Sequence, residues 1–172
     1  PTIHIAGTNG KGSTTAFLKS IFNQAGYKVH RYTSPHLVYF NERIELCDEI
    51  IGDDFLNEIL NEVKLASEIK PEIPVTFFEG TTIGAFLAFS RIKADILILE
   101  TGMGGEFDAT NVIDNPLCSI ITTIDFDHQQ YLGENLSKIA SAKAGIIKKN
   151  CLTITINQSQ EVIKVIEDKA KL

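Results

Sequence analysis

The sequence predicts a doubly wound α/β domain with a mainly parallel sheet and a phosphate-binding loop. Strand-like apolar runs alternate with helix-like periodic segments along the 172 residues, as in repeated βαβ units. The run Ile96-Leu97-Ile98-Leu99 is fully apolar, which is typical of a central parallel strand. A glycine-rich loop joins the first apolar run directly to a helical segment. The length fits one domain.

The first unit is predicted from its apolar spacing. Residues 2–6 predict a strand and residues 7–10 a loop. Residues 11–24 carry apolar side chains at helical spacing, and Gly26 marks the end of that helix.

The next elements reach the middle of the chain. Residues 27–32 predict a second short strand. Residues 53–68 predict an amphipathic helix that begins at an Asp able to cap it and ends before Pro71. Residues 74–78 predict a third strand.

The second half continues the alternation. Small residues in the predicted helix 79–93 favour close packing on a sheet, and strand 96–99 follows it. Residues 117–124 and 152–156 predict two more strands. The helix predicted between them, 135–144, ends at a glycine.

Composition excludes several classes of protein. The 16 Lys and Arg against 22 Asp and Glu give a net charge of −6, which argues against a nucleic-acid binder. No apolar run approaches the roughly 18 residues of a membrane span. Three widely spaced cysteines, without a C-x-x-C pair, fit reduced thiols in the cytoplasm better than disulfides or a zinc site.

The loop after the first strand has the composition of a phosphate site. It is followed at once by a helix start, whose backbone N–H groups attract anions, and Lys11 could neutralise a β- or γ-phosphate. Ser13 or Thr14 could ligate Mg²⁺. Gly12 separates the lysine from the hydroxyl residue, so the standard P-loop pattern is not strictly met. The alternative is a glycine turn without a ligand. The loop comprises Gly7, Thr8, Asn9, Gly10, Lys11, Gly12 and Ser13.

Two further strand ends carry polar side chains. Glu100 ends the apolar strand 96–99 and precedes a glycine cluster, whereas His128 follows strand 117–124. Ligands gather at the carboxyl ends of strands in doubly wound folds, so both side chains are candidate metal ligands. The alternatives are a solvated glutamate and a structural histidine.

Lys143 falls on the apolar stripe of the predicted helix 135–144, seven residues after Leu136. Its amine either reaches solvent at the helix end or faces the phosphate site. In the second case burial would lower its pKa, and the neutral amine could take up CO₂ to become a carbamate.

Motifs along most of the chain resemble those of the folylpolyglutamate synthase and dihydrofolate synthase branch of the Mur ligase superfamily. The inserted Gly12 is usual in that family. The motifs are His4-Ile5-Ala6-Gly7-Thr8-Asn9-Gly10-Lys11-Gly12-Ser13-Thr14, Thr33-Ser34-Pro35-His36-Leu37, Asn41-Glu42-Arg43-Ile44, Gly102-Met103-Gly104-Gly105, Asp108-Ala109-Thr110-Asn111, Asp127-His128 with Leu132-Gly133, and Lys143-Ala144-Gly145-Ile146.

The resemblance implies an ATP-dependent ligase, acting as a monomer, that joins L-glutamate to dihydropteroate or a folate through an acyl phosphate. It implies ATP-phosphate contacts from Thr8 to Thr14, with Lys11 central. The implied magnesium ligands are Ser13, Ser34, Glu100, His128 and a carbamylated Lys143, and the implied folate contacts are Thr76, Phe78, Asp108 and Ala109. Lys11, Glu100, His128 and Lys143 are the implied catalytic group.

The chain also differs from that family pattern. Glu106-Phe107 replaces a usual Arg-Leu, and Ala142 stands where a Glu is common. By this resemblance residues 1–172 form a partial ATP-binding domain, and the C-terminal glutamate-binding domain is absent. Three hypotheses follow: a ligase part active only when completed, a general P-loop NTPase module, and a non-catalytic remnant.

Overall fold

The computed structural model describes residues 1–171 and contains a seven-stranded mixed sheet with helices on both faces. The strand order is β4-β3-β2-β5-β1-β6-β7. The five strands from β2 to β7 are parallel to their neighbours, whereas β3 and β4 add an antiparallel edge. The strands are β1 (Thr2–Ala6), β2 (Val29–Tyr32), β3 (Ile44–Leu46), β4 (Glu49–Ile50), β5 (Ile96–Glu100), β6 (Cys118–Ile121) and β7 (Leu152–Thr155).

In the described part of the chain, six α-helices and a short 3-10 helix at Phe40–Arg43 surround the sheet. The predicted doubly wound α/β class is therefore confirmed. The helices are α1 (Lys11–Gln24), α2 (Asp53–Ser67), α3 (Phe77–Arg91), α4 (Gln129–Leu132), α5 (Leu136–Ala144) and α6 (Gln160–Ala170). Within residues 1–171, none of these helices has the length and apolar character needed to cross a membrane.

The two faces of β5 show how one apolar strand supports both layers. Ile96 and Ile98 pack with Leu18 and Phe22 of α1. The alternate residue Leu99 belongs to the cluster formed with α2 and α3. Because successive side chains on a strand point to opposite faces, a strand covered on both sides must be apolar throughout. A third cluster joins β6 to α5 and α6.

The strand predicted at residues 74–78 is wrong. Thr76 instead caps α3: its hydroxyl accepts from the N–H of Glu79, whose carboxylate accepts from the N–H of Thr76 at 2.7 Å. This reciprocal capping box satisfies two backbone donors and starts the helix at Phe77, two residues before the predicted start. The short run Val75 to Phe78 fits either structure by composition, and the cap decides between them.

Candidate functional site

The loop between β1 and α1 is anchored to the segment after β6. The N–H of Thr8 donates to the carbonyl of Thr123 at 2.7 Å, and the Thr8 hydroxyl donates to the carbonyl of Asp125 at 3.0 Å. Gly10 caps α1 with a φ of 86°, in the left-handed region that glycine enters without steric cost. These contacts fix the loop against the carboxyl end of the sheet.

Gly7 is required by a close approach. A Cβ at this position would lie 1.8 Å from Oγ1 of Thr122, whose N–H donates to the carbonyl of Ala6. Gly12, by contrast, faces open space. The two glycines therefore have different functions: Gly7 allows the loop to pass the neighbouring strand, and Gly12 leaves the start of α1 uncovered.

The loop opens into a cavity of about 470 Å³, the first cavity, at the carboxyl ends of β1, β2 and β5. Ser13 and Thr14 follow on the first turn of α1, outside this lining, and the Thr14 hydroxyl donates to the carbonyl of Gly10 at 2.8 Å. The residues that line the first cavity are Thr8, Asn9, Gly10, Lys11, Gly12, Arg31, Thr33, Ser34, Pro35, Leu37, Glu42 and Glu100. The structure thus brings most of the predicted phosphate loop together with Ser34 and Glu100.

Glu100 is a buried acid at the end of β5, with 4 % of its surface exposed. Burial raises its pKa to about 7, and the positive charge of Lys11, a backbone hydrogen bond at Ser34 and the charge of Arg31 act in the opposite direction. A divalent cation beside this carboxylate would favour its ionised form, so its environment is compatible with a metal ligand. Across residues 1–171, no three side chains of the His, Cys, Asp and Glu types form a metal-binding group.

Two lysines meet beneath the loop. Lys11 donates to the carbonyl of Gly7 at 2.9 Å, and Lys143 donates to the same oxygen at 3.1 Å. Lys143 is 2 % exposed, so its amine does not reach solvent at the end of α5. Burial lowers the pKa of Lys143 to about 8. The positive charge of Lys11 also lowers this pKa, whereas the negative charges of Asp127 and Asp108 raise it.

A second cavity, of about 530 Å³, adjoins the first and shares Ser34 and Pro35 with it. It brings the four predicted folate contacts into one lining with His128. The lining residues are Ser34, Pro35, Arg43, Thr76, Phe77, Phe78, Glu79, Gly102, Met103, Phe107, Asp108, Ala109 and His128.

Asp108 organises the wall of the second cavity. Its Oδ2 accepts from the N–H groups of Gly102 and Met103, each at 2.9 Å, while Oδ1 accepts from the N–H and hydroxyl of Thr110. Thr110 is in turn 2.8 Å from Nε2 of the buried His4. The Asp108 carboxylate therefore holds the glycine-containing loop after β5 in place, and it also lines the second cavity.

His128 lies apart from Glu100. It caps α4 with a φ of 47°, its side chain is about half exposed, and its Nε2 is 3.5 Å from Oδ2 of Asp127. It lines the second cavity, whereas Glu100 lines the first, and Ser34 is common to both. Of the predicted metal ligands, Ser34, Glu100 and His128 line the two adjoining cavities, whereas Ser13 lies outside both linings and Lys143 is buried below the loop.

Arg43 is a cavity residue to which the sequence analysis assigned no function, although it belongs to the quoted Asn41-Glu42-Arg43-Ile44 motif. Its guanidinium lies 5.7 Å from the ring centroids of both Phe40 and Phe77. The place of Arg43 in that motif was the available indication, but the contact with Phe77 joins two separate elements and cannot be read from the sequence.

Comparison with known proteins agrees with this geometry. The model of the Mur ligase middle domain matches residues 5–172. The chain belongs to this family. It is 42 % identical over 172 residues to the dihydrofolate synthase/folylpolyglutamate synthase of Bacillus subtilis, covering 98 % of this chain and 40 % of that protein.

Solved structures of this Mur ligase group share the same fold. A mutant of L. casei FPGS has a TM-score of 0.92 and 36 % identity, over 98 % of this chain and 42 % of that one. E. coli FolC, solved in complex with DHPP and ADP, has a TM-score of 0.89 and 34 % identity, over 97 % of this chain and 40 % of that one. The chain therefore spans about two fifths of the length of each of these three relatives.

Proposed function

We propose that this chain is the ATP-binding part of a ligase that joins L-glutamate to dihydropteroate or a folate. The observation that carries the proposal is the junction of the two cavities at Ser34 and Pro35. One cavity has a phosphate loop, and the other has an aromatic and polar wall suited to a flat heterocycle. The E. coli relative binds ADP and DHPP, a pair of ligands of these two kinds.

The junction suits phosphoryl transfer to a carboxylate. A carboxylate oxygen of the acceptor would attack the γ-phosphorus of ATP as the bond to ADP breaks, which gives an acyl phosphate. The amine of L-glutamate would then attack the acyl carbon, and phosphate would leave with loss of the amine proton. Both anions must be brought together, so positive charge at the junction lowers the barrier.

The residues from Thr8 to Thr14 would hold the ATP phosphates in this scheme. Their backbone N–H groups lie at the N-terminus of α1, where the helix dipole favours anions, and Lys11 adds a full charge. Lys11 now donates to the carbonyl of Gly7, an acceptor that a phosphate oxygen would replace. Thr76, Phe78, Asp108 and Ala109 would contact the pterin in the second cavity.

Ser13, Ser34, Glu100, His128 and Lys143 would hold magnesium, which when bound would offset the negative charge of the phosphates and the carboxylate. Four of the five would offer the oxygen donors that suit this ion, with Lys143 as a carbamate, whereas His128 would offer a nitrogen. The amine of Lys143 would first react with CO₂ to give a carbamate, losing a proton and becoming an anion. Its lowered pKa of about 8 makes the reactive neutral amine accessible near neutral pH.

The cellular setting is also a proposal. We infer a monomer that works in the cytoplasm on small molecules, without nucleic-acid or membrane partners. The acidic net charge of −6 and the free cysteines Cys47, Cys118 and Cys151 support this assignment.

Calorimetric titration tests the two-cavity proposal. The chain should bind MgATP and pteroate with one site each, and saturation with one ligand should leave the site for the other open. The assignment of the second cavity would be contradicted if the two ligands excluded each other. It would also be contradicted if MgATP gave binding heat and pteroate gave none.

A further inference from the structure

Arg43 is a buried cation held in a fixed position on the wall of the second cavity. It is 8 % exposed, and its guanidinium lies 5.7 Å from the ring centroids of Phe40 and Phe77. Its Nε donates to Nδ1 of His36 at 2.9 Å. Aromatic faces attract a guanidinium, and the histidine bond sets its rotation, so both terminal amino groups are left for another partner.

That partner is not found among the described residues. Nowhere in residues 1–171 does a carboxylate lie within ion-pairing distance of Arg43. Asp108 and Glu79 line the same cavity, but Asp108 accepts from Gly102, Met103 and Thr110, and Glu79 accepts from the N–H of Thr76. Both acids are therefore occupied by local backbone groups.

A buried charge without a counter-charge is costly unless a ligand supplies the counter-charge. The geometry points to Arg43 as the residue that binds the reacting carboxylate of the acceptor, with His36 as the residue that positions it. This inference rests on the proposed function and adds to it a specific recognition of the acid group. A guanidinium presents two parallel N–H groups that match the two oxygens of a carboxylate.

The position of Arg43 favours the reacting acid over a remote one. Arg43 shares the second cavity with Ser34, and Ser34 also lines the first cavity beside Lys11 and Glu100. A carboxylate that reaches the junction for phosphorylation therefore lies on the same wall as the guanidinium. A pterin contacting Phe78 and Ala109 would leave this end of the cavity for the acid group.

The test compares pteroate with its neutral primary carboxamide by equilibrium binding to the 172-residue chain. The unsubstituted chain should prefer the acid. In the Arg43→Gln variant, affinity for pteroate should fall roughly 10- to 100-fold, the range of a lost charge-assisted pair, while affinity for the carboxamide stays within about twofold. Arg43→Lys keeps the charge but loses the two parallel N–H groups of the guanidinium, so it should retain part of the preference for the acid.

Two further variants separate direct binding from support of the wall. His36→Phe keeps a ring against Phe40 but removes the acceptor of the Arg43 bond, so it should reduce the preference for the acid by a smaller factor. Arg91→Gln alters an exposed arginine paired with Glu58 and Glu62 and should change neither affinity.

Equal binding of acid and carboxamide by the unsubstituted chain would overturn the proposed function of Arg43. It would not contradict the assignment of the second cavity to the pterin. A parallel loss of both ligands in Arg43→Gln and Arg43→Lys would show a merely structural residue. If neither ligand binds the unsubstituted chain, the second cavity is not a pteroate site, and the proposed function fails with it.

Discussion

Lys11 of α1 and Lys143 of α5 donate to one and the same acceptor, the carbonyl oxygen of Gly7. Two cations on one neutral oxygen repel each other, and no carboxylate within ion-pairing distance of either amine is found in residues 1–171. An anion that enters the loop would relieve this repulsion. Carbamylation of Lys143 would also relieve it, because a cation becomes an anion.

Lys11→Ala should weaken MgATP binding at least tenfold, because the loop loses its full positive charge. The loss of one charge-assisted phosphate contact corresponds to about 1.5 to 3 kcal/mol, or at least tenfold in affinity. Calorimetric titration measures it, with Lys64→Ala on the exposed face of α2 as the matched control. Unchanged affinity in the loop variant would rule out Lys11 as a phosphate ligand.

Lys143→Met should alter how stability depends on pH. The pKa of Lys143 is lowered from 10.5 to about 8 in the folded chain, so between these values the unfolded chain binds more protons and folding stability rises with pH. The contribution is complete above 10.5 and lost as the pH falls through 8. Denaturant unfolding in CO₂-free buffer should show the variant gaining up to about 3 kcal/mol over the unsubstituted chain below pH 8. A stability difference between variant and unsubstituted chain that stays constant from pH 8 to 10.5 would contradict the buried cation.

Glu100→Gln should stabilise the fold while weakening metal-dependent nucleotide binding. Burial raises the pKa of Glu100 from 4.5 to about 7, so the folded chain binds the extra proton between these values and stability falls as the pH rises through 7. The amide avoids this loss, and we expect a gain on the order of 1 to 3 kcal/mol at pH 8 in metal-free buffer. A variant that is less stable than the unsubstituted chain at pH 8 would be inconsistent with an uncompensated buried carboxylate.

Gly7→Ala should destabilise the chain, whereas Gly12→Ala should not. The added methyl group would lie 1.8 Å from Oγ1 of Thr122 in the first case and in open space in the second. Overpacking of this kind costs about 1 to 3 kcal/mol. Thermal unfolding of the two variants measures the difference, and equal melting temperatures would show that the loop passes β6 with more room than the structure gives it.

The sequence predicted most of the strands and helices of the alternating βαβ units. The predicted bounds of β1 and α1 agree with the structure. Of the four apolar side chains that predicted α1, Leu18 and Phe22 pack on the sheet, whereas Phe17 and Ile21 are exposed. The short strands β3 and β4 were not predicted, since three and two residues give no measurable alternation. Helix α6 was also missed, although Ser159 accepts from the N–H of Val162 as its cap.

The site was predictable where it follows strand ends and not where it depends on packing between elements. Glu100 is the last residue of β5 and the loop residues follow β1, and the register of the two strands places Ile5 beside Glu100. The hydrogen bonds of Lys11 and Lys143 to one acceptor depend on how α5 packs against the loop. The contact of Arg43 with Phe77 depends on how α3 packs against the 3-10 helix. Those relationships exist only after the helices are placed.

A segment exchange tests the central proposal, that this chain is the ATP-binding part of a ligase that couples ATP cleavage to the joining of an acid acceptor and an amine. Residues 1–172 would replace the matching segment of the Bacillus subtilis relative, with Lys11→Ala in the same exchange as the control for contaminating ATPase. We predict ADP release only when pteroate and L-glutamate are both present. ADP release without them would show a general NTPase module, and no release from a folded, MgATP-binding exchange protein would contradict the ligase account.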